Sequence, residues 1–180
     1  MKRIKIKVAS LMLLFGMLLF GDVALAHVEA KGKSPSRAVV VKHPSVKSVR
    51  RMSSKHTTIR YNDIVFHLSK GKYYRKVDSR YVLIMPPVGL RVQFLPDGSS
   101  SFRFKSRYYH CAGGVIYVKV REDEYKVVAP EVGMIVPELP EVGVRELSID
   151  NDIYYEYDDV LYKAIVTRQG VEYKVVGSIE

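Results

Sequence analysis

Tryptophan is absent from this 180-residue chain, and cysteine occurs once, at Cys111. A lone thiol excludes an intramolecular disulfide, so burial and backbone hydrogen bonds must hold the fold. Cys111 precedes Ala112-Gly113-Gly114, a loop signal, and reads as a small buried apolar residue or as a free thiol. No run approaches the ~20 apolar residues that a spanning helix needs; the longest goes only from Val8 to Phe20. After residue 59 no stretch of about twelve residues carries an apolar stripe at helical spacing. A Gly-rich phosphate loop, a nucleophile elbow, paired catalytic carboxylates and a Ser/His/Asp or Cys/His set are missing too. The expectation is therefore not an enzyme, with no cofactor.

The first segment is clear. Lys2, Arg3, Lys5 and Lys7 precede the Val8–Phe20 run, and Ala24-Leu25-Ala26 follows. Charge, short apolar core and small-x-small site are the layout of a secretory signal peptide. Residues 1–26 are assigned to it, leaving His27 first in a mature chain without a membrane span. No cysteine near the site supports lipid attachment. The expected localisation is exported: periplasmic, outer-membrane-associated or extracellular.

Acidic residues are scarce early and abundant late. Residues 27–58 carry Glu29 against eight bases, residues 59–110 three acids against ten bases, and residues 111–180 fourteen acids against seven bases. The formal charge of +10 therefore sits near the N-terminus. With Pro35, Pro44, several Ser and no aromatic residue, 27–58 reads as a basic, disordered linker. Its one apolar cluster, Val39-Val40-Val41, is able to dock as a stray strand. Lys47, Arg50, Arg51 and Lys55 are candidates for an electrostatic tether to an anionic surface, the alternative being a solvated spacer. A nucleic-acid partner is not expected of an exported chain.

All thirteen tyrosines lie beyond residue 60, and there the chain repeats itself. Tyr81-Val82-Leu83-Ile84-Met85-Pro86-Pro87-Val88-Gly89, with Val92, Leu95 and Pro96, returns 44 residues on as Tyr125-Lys126-Val127-Val128-Ala129-Pro130-Glu131-Val132-Gly133, with Val136, Leu139 and Pro140. A third, truncated copy is Tyr173-Lys174-Val175-Val176-Gly177. Gly71…Tyr74, Gly113-Gly114…Tyr117 and Asp158-Asp159…Tyr162 precede the copies as hairpin turns leading into strands. Val, Ile and Tyr alternate with polar residues at the period of two that strands require. The expectation for 59–180 is all-β, with about seven to nine strands in a small sandwich or partly open barrel.

These motifs resemble a family of bacterial secreted, Tyr-rich repeat proteins of unknown function (DUF6515-like), with units of the form G-x-x-Y…Y-x-V-V-x-P-P-x-G-x-x-V-x-x-L-P. Gly71, Tyr74, Tyr81, Pro86, Pro87, Gly89, Val92, Leu95 and Pro96 carry the match, as do Gly114, Tyr117, Tyr125, Val127, Val128, Pro130, Gly133, Val136, Leu139 and Pro140. Glu131 replaces the second proline, and the third copy lacks the bend. The resemblance covers 59–180 and implies fold and export; it brings no catalytic residues.

Few constellations suggest a site. Tyr74, Tyr117 and Tyr162, like Tyr81, Tyr125 and Tyr173, recur with the strand framework and read as sheet packing. The adjacent pairs Tyr108-Tyr109 and Tyr154-Tyr155 must turn one ring each outward, which makes them candidates for a binding surface. Asp150, Asp152, Glu156 and Asp158 share one face of an extended chain and read as a solvated strand face; as Ca²⁺ ligands they lack an EF-hand's glycine and terminal glutamate. No metal is expected. The five histidines show no zinc spacing, and His67 is expected at the surface. The expected function is binding of an envelope component, either a protein partner or an anionic glycan or lipid surface. The alternative is a structural, self-assembling envelope protein that pairs its β edges.

Overall fold

A computed structural model describes residues 39–179, and every regular element among them is a strand. The segment expected to be a signal peptide, its expected cleavage site and residues 27–38 lie outside the described residues. Two short strands come first, β1 (Val39–Lys42) and β2 (Ser48–Val49). A four-stranded meander follows: β3 (Thr57–Tyr61), β4 (Ile64–Ser69), β5 (Lys72–Val77) and β6 (Arg80–Ile84). The short β7 (Arg91–Val92) leads to a second, β8 (Ser100–Phe104), β9 (Arg107–Ala112), β10 (Val115–Arg121) and β11 (Glu124–Val127). The short β12 (Ile135–Val136) leads to a third, β13 (Arg145–Ile149), β14 (Asp152–Tyr157), β15 (Val160–Thr167) and β16 (Gly170–Ser178).

The fold is all-β, with three antiparallel sheets and no closed barrel. Their orders are β2-β6-β5-β4-β3, β7-β11-β10-β9-β8 and β1-β13-β14-β15-β16-β12. From β3 onward fourteen strands replace the seven to nine expected for 59–180, because many hairpins are very tight. Asn62-Asp63, Lys70-Gly71, Gly113-Gly114, Asp150-Asn151 and Asp158-Asp159 all place two successive residues at positive φ. That backbone matches the twist of paired strands, and Asn, Asp and Gly tolerate it best. The third unit is correspondingly a full meander and lacks only the outgoing bend.

The basic segment is the principal correction. Residues 39–58 are folded into two sheets: β1 pairs with β13, β2 with β6, and β3 with β4. The stray strand expected at Val39–Val41 is β1. Each meander's last strand receives a two-residue strand from upstream, placing Val49 opposite Tyr81, Val92 opposite Tyr125 and Val136 opposite Tyr173. One backbone bond is likewise made three times at 2.8 Å: Leu83 N–H donates to Lys47, Val127 to Leu90 and Val175 to Met134. Val49-Arg50-Arg51-Met52 thus stands where Val92–Leu95 and Val136–Leu139 stand in the following units. Composition concealed it, because Lys47 replaces the buried Leu90 and Met134.

The sheets stack face to face. Phe66, Leu68 and Tyr73 of the first pack with Leu90, Val92, Val115, Tyr117 and Val127 of the second. Tyr109, Ile116 and Val118, on the second sheet's other face, pack with Met134, Val136, Tyr162 and Val175 of the third. The middle sheet is covered on both sides, so Val115 to Val118 are buried consecutively rather than alternately. A smaller cluster, Leu147, Ile149 and Leu161, occupies the third sheet's far face. Gly114 shows why a glycine opens the motif. At φ +79°, a Cβ there would lie 2.3 Å from the Pro140 nitrogen, where the Leu-Pro end of the unit crosses the hairpin turn.

Candidate binding face

Phe66 and Leu68 point into the stack, so alternation turns His67 to the first sheet's outer face. Register places Thr58 and Tyr74 beside His67 and Leu83 beside Tyr74. Arg60 and Lys76, two residues along their strands from Thr58 and Tyr74, share that face. Residues 50–56 join β2 at one edge of this sheet to β3 at the other. His56 ends this segment on the outer face, with its ring centroid 5.2 Å from that of His67.

The tether candidates therefore fall on a fixed surface. Arg50, Arg51 and Lys55 are exposed on the 50–56 segment, and Arg60 and Lys76 are exposed on the sheet's outer face. None of these five cations has an ion-pair partner among the described residues. Lys47 departs from the expectation of a free chain: its ammonium lies 2.9 Å from Glu141, which also holds Lys72. The outer face also carries a small aromatic cluster. The rings of His67 and Tyr81 meet edge to face, 5.1 Å apart at 87°. His67 is half-buried rather than on the surface as expected, with the His56 and Tyr81 rings packed against it, and its Nδ1 is buried without a hydrogen-bond partner among the described residues. Burial, then His56 and Lys76, push its pKa below the ordinary imidazole value.

The ring pair recurs. His110 meets Tyr125 at 5.5 Å and 88°, and Tyr155 meets Tyr173 at 5.5 Å and 87°. In the second and third sheets this side faces the preceding sheet, whereas in the first it is the outer face. Displacements of 43 and 44 residues, His67 to His110 and Tyr81 to Tyr125, are the sequence signal for the pair. The signal is weak because the third copy writes Tyr155 in place of histidine.

The four tyrosine candidates are not brought together. Tyr108 is 65% exposed, with the Arg103 guanidinium 5.8 Å from its ring centre. Tyr109 is a correction: it is buried, stacked on Phe102 at 5.6 Å, because its side of the middle sheet is covered by the third. Tyr155 packs against that same interface, while Tyr154 lies on the third sheet's far side with the Lys163 ammonium 5.3 Å from its ring centre.

The acidic run is corrected at Glu156, which is 3% exposed rather than solvated. Its carboxylate accepts from the Arg145 guanidinium and, at 2.8 Å, from the Asp159 N–H. Asp152 pairs with Lys163 at 2.9 Å, and Asp150 and Asp158 are turn residues at positive φ. No group of three or more His, Cys, Asp or Glu side chains is placed to hold a metal among the described residues. Cys111 is fully buried, and burial, with Glu138 adding to it, pushes its thiol up to about 12, so the thiolate that would react is scarce at neutral pH. No helix among the described residues is long and apolar enough to cross a membrane.

Comparison with known families decides one point. The model of a family of unknown function (DUF6515) matches residues 38–178. The chain belongs to that family. The family's match begins one residue before β1, so it includes residues 38–58 of the basic segment as well as the three meanders. No curated protein and no solved structure matches the chain.

Proposed function

We propose that this DUF6515 member is an exported, non-catalytic module that binds an anionic component of the cell envelope through the outer face of its first sheet. One observation carries the reading: Arg60 and Lys76 are exposed on that face, and Arg50, Arg51 and Lys55 are exposed on the segment joining its two edge strands, all five without ion-pair partners among the described residues. Cations held by a sheet and the segment that joins its edges lose little conformational entropy on binding, unlike those of a disordered tail. Each contributes on the order of 1 kcal/mol against an anionic surface at moderate salt. Tyr74, His56 and the edge of Tyr81 add flat polar rings of the kind that sit on sugars or headgroups. Export rests on the N-terminal layout of charge, apolar core and Ala24-Leu25-Ala26.

The test is co-sedimentation of residues 27–180 with isolated envelopes and with vesicles of mixed neutral and anionic lipid, across a salt series. The intact chain should pellet at low salt and be released as salt rises. Replacing Arg50, Arg51, Lys55, Arg60 and Lys76 by Gln should abolish pelleting while leaving the unfolding transition in place. Equal pelleting of the substituted chain would end this assignment.

A further inference from the structure

Each sheet presents an edge strand on the side opposite its incoming two-residue strand: β3, β8 and β13. Among the described residues only β13 is covered. There β1 lies antiparallel, with Val39 opposite Ser148, Val40 opposite Leu147 and Lys42 opposite Glu146. β3 and β8 end their sheets, and among the described residues no further backbone bond reaches them. Among the described residues one of three equivalent slots is thus filled by an extended segment and two are left open.

The hairpin registers say what the open slots would accept. Tyr61 pairs with Ile64, Phe104 with Arg107 and Ile149 with Asp152 at corresponding hairpin ends. Counting back, Ile59, Phe102 and Leu147 are equivalent; so are Arg60, Arg103 and Ser148, and so are Thr58, Ser101 and Glu146. The apolar position that Val40 lies beside is kept, as half-buried Ile59 and Phe102. The charge is not kept. Opposite Lys42 the acid is replaced by Thr58 or Ser101, and opposite Val39 an exposed arginine replaces serine. β1 itself fits these edges poorly. A segment with an apolar residue at the Val40 position and acids on either side fits both.

We propose that β3 and β8 are strand-addition sites for an extended partner segment in which apolar and acidic residues alternate. The exposed backbone groups of the edge supply the ladder, Ile59 and Phe102 supply the apolar neighbours, and Arg60 and Arg103 select the acid. Alternation is required because successive side chains of a strand leave on opposite faces.

Titration of isotope-labelled 27–180 with a Val-Glu alternating heptapeptide and its Val-Lys counterpart, at 0.15 M salt, tests this by amide exchange. The acidic peptide should protect alternate amides within 57–61 and 100–104 and bind about tenfold tighter than the lysine peptide, since paired charges across strands help and like charges hurt. Arg60→Glu with Arg103→Glu should reverse the preference; both side chains are exposed, so the fold is spared. Equal binding of the two peptides, or no protection at either edge at millimolar peptide, overturns the proposal. So do shifts confined to residues 50–56, which would make these arginines guards against edge pairing and assign the acidic peptide to the basic face.

Discussion

Tyr74 and Tyr117 occupy the same place in successive sheets, next to His67 and His110 respectively. Tyr117 lies between two sheets, fully buried, and its hydroxyl donates to Tyr73 at 3.0 Å. Tyr74 has no preceding sheet to meet and stays half-exposed beside cations. One residue type in one register is thus core in the second unit and surface in the first. The cause is position in the stack: the first sheet is where burial ends, and its outer face carries exposed Arg60 and Lys76, without ion-pair partners among the described residues. In a stack whose units touch only their neighbours, a terminal unit needs a polar outer face, and that same face is free to bind.

Substitution at the matched tyrosines puts this contrast to its most severe test. Tyr117→Ala removes a buried ring and strands the Tyr73 hydroxyl, so it should cost about 3–5 kcal/mol, whereas Tyr74→Ala should cost under about 1. Urea unfolding followed by circular dichroism measures both. Similar losses would mean that the first sheet's outer face is as packed as the interior.

A second contrast separates steric contact from backbone conformation. Gly114 and Gly98 have nearly equal φ, +79° and +78°, but a Cβ at Gly98 meets nothing within 4 Å. Gly98→Ala should lower stability by about 1 kcal/mol, the cost of a left-handed residue. Gly114→Ala must also displace the Pro140 backbone and should cost about 2–4. Equal values would show that the Leu-Pro segment yields freely.

The smallest effect concerns the ring pairs. His67 and His110 both have pKa values lowered chiefly by burial, with His56 and Lys76 adding at the first and Lys119 at the second. Their folded state binds fewer protons than the unfolded chain, so stability is fully present above the ordinary value near 6.5 and falls as pH drops below it. The urea midpoint should decline between about pH 7.5 and pH 5.5. His67→Tyr with His110→Tyr, which copies the Tyr155–Tyr173 pair of the third unit, should flatten that decline. An unchanged slope would place the titration elsewhere.

Much of the fold is legible in the order of residues. Alternating Val and Tyr mark the strands, and the 44-residue displacement from Tyr81 to Tyr125 marks the unit. The features that stay hidden do so for physical reasons. The turn at Asp158-Asp159 is legible, but its type depends on φ, which the order of residues leaves open. Glu156 is at the register position of Leu68 and Cys111, where burial comes from Arg145 and the sheet rather than from its own polarity. The basic segment reads as disordered because its apolar share is low, yet two residues, Ser48 and Val49, suffice to pair with β6 when the receiving edge is already built.

An all-β fold, a recurring unit and a lopsided charge follow from the amino-acid order, because strand period, glycine and proline placement and net charge are local properties. Packing in three dimensions settled the rest: which copy of each repeated residue is core, that the basic segment pairs into the sheets rather than trailing from them, and which edges remain open among the described residues. Those outcomes depend on what each sheet packs against, and in a stack the end differs from the middle even where the residues agree.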